Sequence, residues 1–157
     1  MNIYIFEKGR WSELGYRASA WLLKPSSPFE SSEELAKPFR CSTWPNPFSP
    51  KKPEIRLDKY AGAIAPGIYD YCFGYHNGKP ALTINDEDFI PTICPNPNQN
   101  GEWHANHVDM HIGWSVTWRG SLACITFHPK DWAPFFSYFD KNSIGKIAIE
   151  REHNDIS

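Results

Sequence analysis

Apolar and polar residues alternate along seven short stretches of the chain. Residues 3–6, 16–23, 67–74, 81–84, 107–112, 123–127 and 146–150 combine a period of two with β-branched or aromatic side chains, the pattern of strands that turn one face to a core. Between the third and fourth stretches lies Tyr75-His76-Asn77-Gly78. Its Asn-Gly pair tolerates the positive φ of a type I′ turn, which predicts a hairpin between residues 69–73 and 81–84. Helical patterning is confined to two places. Ser31, Ser32, Glu33 and Glu34 have capping-box spacing ahead of Leu35, and Pro38 ends any helix there within about two turns. Residues 129–139 place Pro129 and Pro134 in or near a first turn and repeat Trp132, Phe135, Phe136 and Phe139 on one face, predicting a helix packed on the sheet. Residues 24–53 and 85–106 are broken by Pro, Ser, Asn and Gly, and read as long irregular loops of the kind that wall a substrate groove. The pattern predicts a β-rich α+β fold with one or two short helices and long loops. With no internal repeat, a single domain over residues 1–157 follows.

Composition narrows the partners. The 157 residues are 41% hydrophobic, enough for a core without staples, and the formal net charge of -2 offers no basic field for nucleic acid. The apolar runs are too short for membrane insertion, and the N-terminus MNIYIFEKGR reads as a charged strand rather than a secretory leader, which predicts synthesis in the cytoplasm without a signal peptide. Cys41, Cys72, Cys94 and Cys124 form no CxxC pair and no dense framework, so thiols are expected rather than disulfides, with Cys72 as a small core residue. Aromatics at 15% supply core area or a binding platform.

The candidate chemistry clusters in HVDMHIGW and RGSLACITF. On a strand over 107–112, His107, Asp109 and His111 share one face. That face is an exposed edge, a ligand set for zinc, or part of an active site. Cys124 enters the next strand from a run of small residues, Ser121-Leu122-Ala123-Cys124, where backbone N–H groups converge. A cysteine mechanism needs a thiolate, a base and oxyanion donors. Here His111 pairs with Cys124, the N–H groups of Cys124 and of Ala123 or Leu122 form the oxyanion hole, and Asp109, His107 or a backbone carbonyl fixes the imidazole tautomer. Gly113, Trp114, Trp118 and Arg119 lie between the two halves as substrate-binding candidates, Arg119 for a carboxylate and the tryptophans as groove walls or as core cover. His128 and Asp131 sit where a helix would be capped. In the metal alternative, His107, Asp109 and His111, with His104 nearby, serve a zinc hydrolase, although HExxH is absent.

His111-Ile112-Gly113 followed by Ser121-Leu122-Ala123-Cys124-Ile125 resembles the H-x-G … [S/T]-H-G-C signature of the L,D-transpeptidase (YkuD-type) catalytic domain. Ala65-Pro66-Gly67-Ile68-Tyr69 is similar to that family's strand entry, and the motif-bearing part covers about residues 60–140. The resemblance implies an L,D-transpeptidase-like β-sandwich or mixed sheet, Cys124 as nucleophile, His111 as catalytic histidine, Ser121 as the hydroxyl residue opening the motif, and no metal or organic cofactor. It implies a peptidoglycan stem peptide as substrate, attacked to give a thioester that passes to water or an amine. Action in the periplasm or cell wall, such as that of a delivered effector with an immunity protein or secretion carrier, or of a phage lysis protein, follows as an expectation. Leu122 and Ala123 depart from the motif's His and Gly. A catalytically decayed module that binds wall or protein is therefore the reading from a different class.

Overall fold

A computed structural model describes residues 1–24, 37–46, 60–115 and 123–156. Among the described residues the strands are β1 (Asn2–Glu7), β2 (Ala18–Leu23), β3 (Phe39–Ser42), β4 (Gly62–Ile64), β5 (Gly67–His76), β6 (Lys79–Ile84), β7 (Ile90–Pro95), β8 (His104–Ala105), β9 (Asp109–Ile112), β10 (Ile125–Phe127) and β11 (Ile144–Arg151), with one α-helix, α1 (Pro129–Phe136). Eight strands close into a barrel in the order β1-β11-β5-β6-β9-β10-β3-β2, and β4, β7 and β8 form a separate small sheet. The predicted β-rich α+β composition is present. The main sheet is mixed, with β1–β11 and β9–β10 parallel, and it closes on itself rather than splitting into the two layers of a sandwich. No helix among the described residues is long and apolar enough to cross a membrane.

The period of two explains the core. In β1, Ile3 and Ile5 are buried while Tyr4 and Phe6 are only partly so, and β2 repeats this with Ala18, Ala20 and Leu22. Leu82, Met110, Ile125, Phe127, Ile147 and Ile149 complete the apolar interior. The Asn77-Gly78 turn is present with φ of 50° and 77°, joining β5 to β6 in the predicted hairpin. All seven predicted strands are found. The helix is capped by His128, whose Nδ1 accepts from the Lys130 N–H at 3.0 Å, and Phe135 stacks on Phe127 at 4.2 Å between ring centres. Asp131 instead holds Arg40 through both carboxylate oxygens, at 2.9 and 2.7 Å.

Three expectations change. Residues 85–106 are not wholly irregular, because Ile90 and Thr92 are buried and pair β7 with β4 and β8. Phe39–Ser42 likewise forms a strand, within a segment read as irregular, and pairs with both β2 and β10. Cys72 is not a core residue: Tyr71 takes the inner position, and Cys72 sits half-buried against the Thr83 hydroxyl at 3.1 Å. The candidate helix around Ser31 to Leu35 lies outside the described residues.

The barrel is fastened by a buried ion cluster. Glu7 and Arg151 are register partners across the parallel β1–β11 pair, both buried. Glu7 accepts from the N–H and hydroxyl of Thr43 at 2.9 and 3.1 Å and from the Gly9 N–H at 3.1 Å. Arg151 donates to the carbonyls of Ile64 and Thr43 at 2.9 and 3.0 Å and lies over the Trp44 ring. Burial lowers the Arg151 guanidinium to about 10 against the favourable charge of Glu7. One cluster thus ties β1 and β11 to the end of β3 and to the small sheet. Removing one member leaves the other charge buried and uncompensated. Glu7→Ala or Arg151→Ala is expected to cost about 3–5 kcal/mol, measured by denaturant unfolding; a loss under about 1 kcal/mol, within the range of an exposed pair, would refute this role.

Candidate functional site

Four consecutive barrel strands, β5, β6, β9 and β10, carry the side chains of the site. The β5–β6 hairpin leaves His76 at its turn, β6 pairs with β9 through Thr83 and Asp109, and β9 runs parallel to β10 with His111 opposite Thr126. Cys124 immediately precedes β10, and its sulfur accepts the Asp109 backbone N–H at 3.4 Å. The result is a cluster in which one ring nitrogen each of His76 and His111 and the Cys124 sulfur lie within 4.8 Å of one another, all three residues half-buried.

Each imidazole is held by its other partners. His111 Nδ1 lies 2.8 Å from the Ile112 carbonyl, an acceptor only, so Nδ1 carries the proton and Nε2 is left with its lone pair. His76 Nδ1 lies 2.9 Å from Asp109 Oδ2, which sets its ring in the same way. The two rings stack at 3.9 Å between centres and 8° between planes. The second oxygen of Asp109, Oδ1, is buried with no hydrogen-bond partner among the described residues.

Electrostatics favour the neutral forms of His111 and Cys124. Burial, with the charge of His76 adding to it, lowers the His111 pKa to about 4. Burial pushes the Cys124 thiol up to about 12; Asp109 and Glu87 add to this, while the Asp109 N–H opposes it. Burial likewise raises the Asp109 carboxyl, against the pull of its His76 hydrogen bond. A neutral imidazole beside a protonated thiol acts as a general base rather than as half of a standing ion pair.

The sequence candidates divide. Cys124, His111 and Asp109 come together. His107 does not join their face: β9 begins only at Asp109, His107 adopts a left-handed φ of 53°, and its ring turns outward to Glu87 at 3.0 Å. Its carbonyl alone faces the Cys124 sulfur, at 3.8 Å. The trio His107, Asp109 and His111 is therefore not the cluster that forms, and His104 sits apart, paired with Glu102 at 3.4 Å. Gly113, a substrate-binding candidate, is closely packed. A side chain there would fall on the Tyr16 hydroxyl, which donates to the Ser115 carbonyl at 2.8 Å, while the Gly113 N–H donates to Phe127 at 2.8 Å. Trp114 is exposed, and Ala123 is half-buried against the core. Ser121, Leu122, Trp118 and Arg119 lie outside the described residues. Sequence reasoning missed His76, whose segment carries only a turn signal.

Ala123, the residue before Cys124, lines a cleft of about 510 Å³ together with Tyr60, Phe89, Asn98, Asn100 and Glu102, whereas His76, His111 and Cys124 do not line it. No protein-family model, no curated protein and no solved structure matches the chain.

A thiol held near 12 gains thiolate about tenfold per pH unit below that value. Alkylation of Cys124 by iodoacetamide is expected to climb at that rate between about pH 6 and 9 without a plateau. Peptide mapping of the labelled cysteine over that range checks it, and a plateau already reached below neutrality would mean a standing thiolate–imidazolium pair instead.

Proposed function

We propose that the protein is a cysteine acyl transferase of the L,D-transpeptidase type that acts on peptidoglycan stem peptides. The observation that carries the reading is the relation of Cys124 to His111: a sulfur close to an imidazole whose tautomer is fixed by the backbone carbonyl of Ile112, leaving Nε2 as the base. The substrate class comes from the H-x-G … S-x-x-C resemblance, and the cleft beside Ala123 supports it with a peptide-sized space.

In this reading the Cys124 S–H bond breaks as the sulfur attacks the carbonyl carbon, and His111 Nε2 takes the proton. The carbonyl oxygen becomes an oxyanion held by the N–H groups of Cys124 and its neighbour. Collapse expels the amine of the leaving residue, which receives the proton from His111, and leaves an acyl thioester. An amine or water then attacks the thioester, with His111 again as base, and the thiol is regenerated. Because His111 stays neutral to well below neutral pH, its Nε2 lone pair is available throughout the physiological range, and so weak a base takes the proton only as sulfur bonds to carbon.

His76 gives the site a second imidazole, in a chain whose motif carries Leu122 in place of histidine. Its stack limits the tilt of His111, and Asp109 limits its own. We assign it a positioning role. The acyl acceptor divides two outcomes of one reaction: transfer to an amine cross-links or exchanges, and transfer to water trims. Action at the wall or in the periplasm, as a delivered effector or a lysis protein, belongs to this reading.

Incubation with purified muropeptides, read by mass, is the test. Cys124→Ala is expected to lower turnover by about three orders of magnitude or more while the thermal melt stays within a few degrees. Cys72→Ala keeps activity, and Ala123→Gly keeps or raises it by restoring backbone freedom at the motif position. Undiminished turnover by Cys124→Ala would overturn the reading.

A further inference from the structure

We propose that His76, His111 and Cys124 form a binding site for one borderline-soft divalent transition-metal ion, zinc foremost, whose occupancy excludes thiol chemistry. This inference rests on the cluster itself and not on the acyl-transfer reading.

The donor set selects the ion. One sulfur and two imidazole nitrogens suit zinc or cobalt and repel magnesium and calcium, which require oxygen. The spacing is within reach: zinc bonds of roughly 2.0–2.1 Å to nitrogen and 2.3 Å to sulfur place tetrahedral ligand atoms about 3.3–3.8 Å apart. The present limit of 4.8 Å needs a contraction of about 1 Å.

Second contacts give the stronger argument. A metal-bound histidine characteristically donates its remaining N–H to a carboxylate or a backbone carbonyl, which fixes the ring and raises its basicity. Both kinds are present: Asp109 Oδ2 holds His76 Nδ1 and the Ile112 carbonyl holds His111 Nδ1, so the Nε2 atoms are the ligands, that of His76 on release of its 3.4 Å contact with the Asn77 side-chain amide. The Asp109 N–H to the Cys124 sulfur serves a metal-bound thiolate in the same way. A single catalytic histidine would need one such arrangement, and this site has two on parallel rings.

The stack imposes one requirement. Lone pairs lie in the plane of their rings, so two rings 8° from parallel cannot both aim at one point. One ring has to turn out of the stack when the ion enters. His76 turns about its hydrogen bond to Asp109 more readily than His111, which lies within β9 between two paired strands. Binding replaces the S–H bond by a sulfur–metal bond and releases one proton to solvent. The sulfur electron pair is then engaged, so the loaded site neither attacks carbonyls nor alkylates.

The experiment titrates the chelator-stripped full chain with Zn²⁺ and Co²⁺. Expected are one ion per chain, a sulfur-to-cobalt charge-transfer absorption, and protection of Cys124 from iodoacetamide by Zn²⁺. His76→Ala and Cys124→Ser should each weaken Zn²⁺ binding at least about 100-fold and Asp109→Asn about 10–100-fold, whereas His153→Ala leaves it unchanged. Melting curves identify any variant that fails to fold, and the wild-type cobalt spectrum reports sulfur ligation without relying on a variant. Absence of that absorption, or Zn²⁺ affinity indifferent to His76→Ala in a folded variant, overturns the metal site. Failure of the zinc titration beside Cys124-dependent stem-peptide turnover overturns the metal site alone. Turnover abolished by a chelator and restored by Zn²⁺ contradicts the exclusion of thiol chemistry by the bound metal and overturns the proposal.

Discussion

The register of the parallel β9–β10 pair is the constraint on which the site depends. Met110 stands opposite Ile125 and Ile112 opposite Phe127. Met110, Ile125 and Phe127 are wholly buried, so sliding β10 by one residue would turn its apolar face to the outside and forfeit their contacts. With that register fixed, Cys124 has nowhere to lie but beside Asp109, and His111 projects on the side opposite Met110. The apolar interior of the barrel thereby places the polar cluster. Since parallel neighbours cannot be joined by a tight turn, the connection between them is long, and it is the segment that carries the motif's small residues.

The two buried polar clusters serve opposite ends. Around Glu7 and Arg151 the carboxylate has three donors, and the guanidinium bonds two carbonyls and a ring face. Its Nη1 is nonetheless buried with no hydrogen-bond partner among the described residues, so this cluster too keeps one unsatisfied group. At the other cluster Asp109 Oδ1 likewise has no hydrogen-bond partner among the described residues, and there two imidazole rings are stacked and a thiol is held far above its ordinary pKa. Unfinished buried polarity is costly unless a ligand or a reaction completes it, which is the physical argument for reading this end of the barrel as functional.

Much of this architecture was legible in the sequence, for reasons that also mark the limits. Strands with strict alternation, such as Ile3 and Ile5 in β1, identify themselves, and so does the Asn77-Gly78 turn. Phe39–Ser42 and Ile90–Pro95 did not, because proline lies beside or inside them and their pairing comes from partners remote in the chain. His111 and Cys124 were found through local spacing. His76 was not, since only the strand order β5-β6-β9-β10 brings it to them, and strand order is absent from any local pattern. His107 was placed wrongly for the converse reason: period two was extended two residues ahead of β9, to the residue where the backbone turns left-handed.

The neutral resting state bears on what the site selects. A preformed thiolate–imidazolium pair would react with any electrophile that reached it, whereas a thiol near 12 beside a base near 4 gives up its proton only as a new bond to sulfur forms. Reactivity then depends on a substrate held long enough, and at the right angle, for proton transfer and attack to coincide. The cleft against Ala123 is the element that can supply such holding, with Tyr60 and Phe89 presenting apolar faces and the asparagines and Glu102 presenting hydrogen-bonding groups. A metal ion reaches the same sulfur by a different route, because it displaces the proton directly and needs no cleft. Under the two proposals, selectivity in this site follows from where the proton goes: to His111 with a peptide bound, and to solvent with an ion bound.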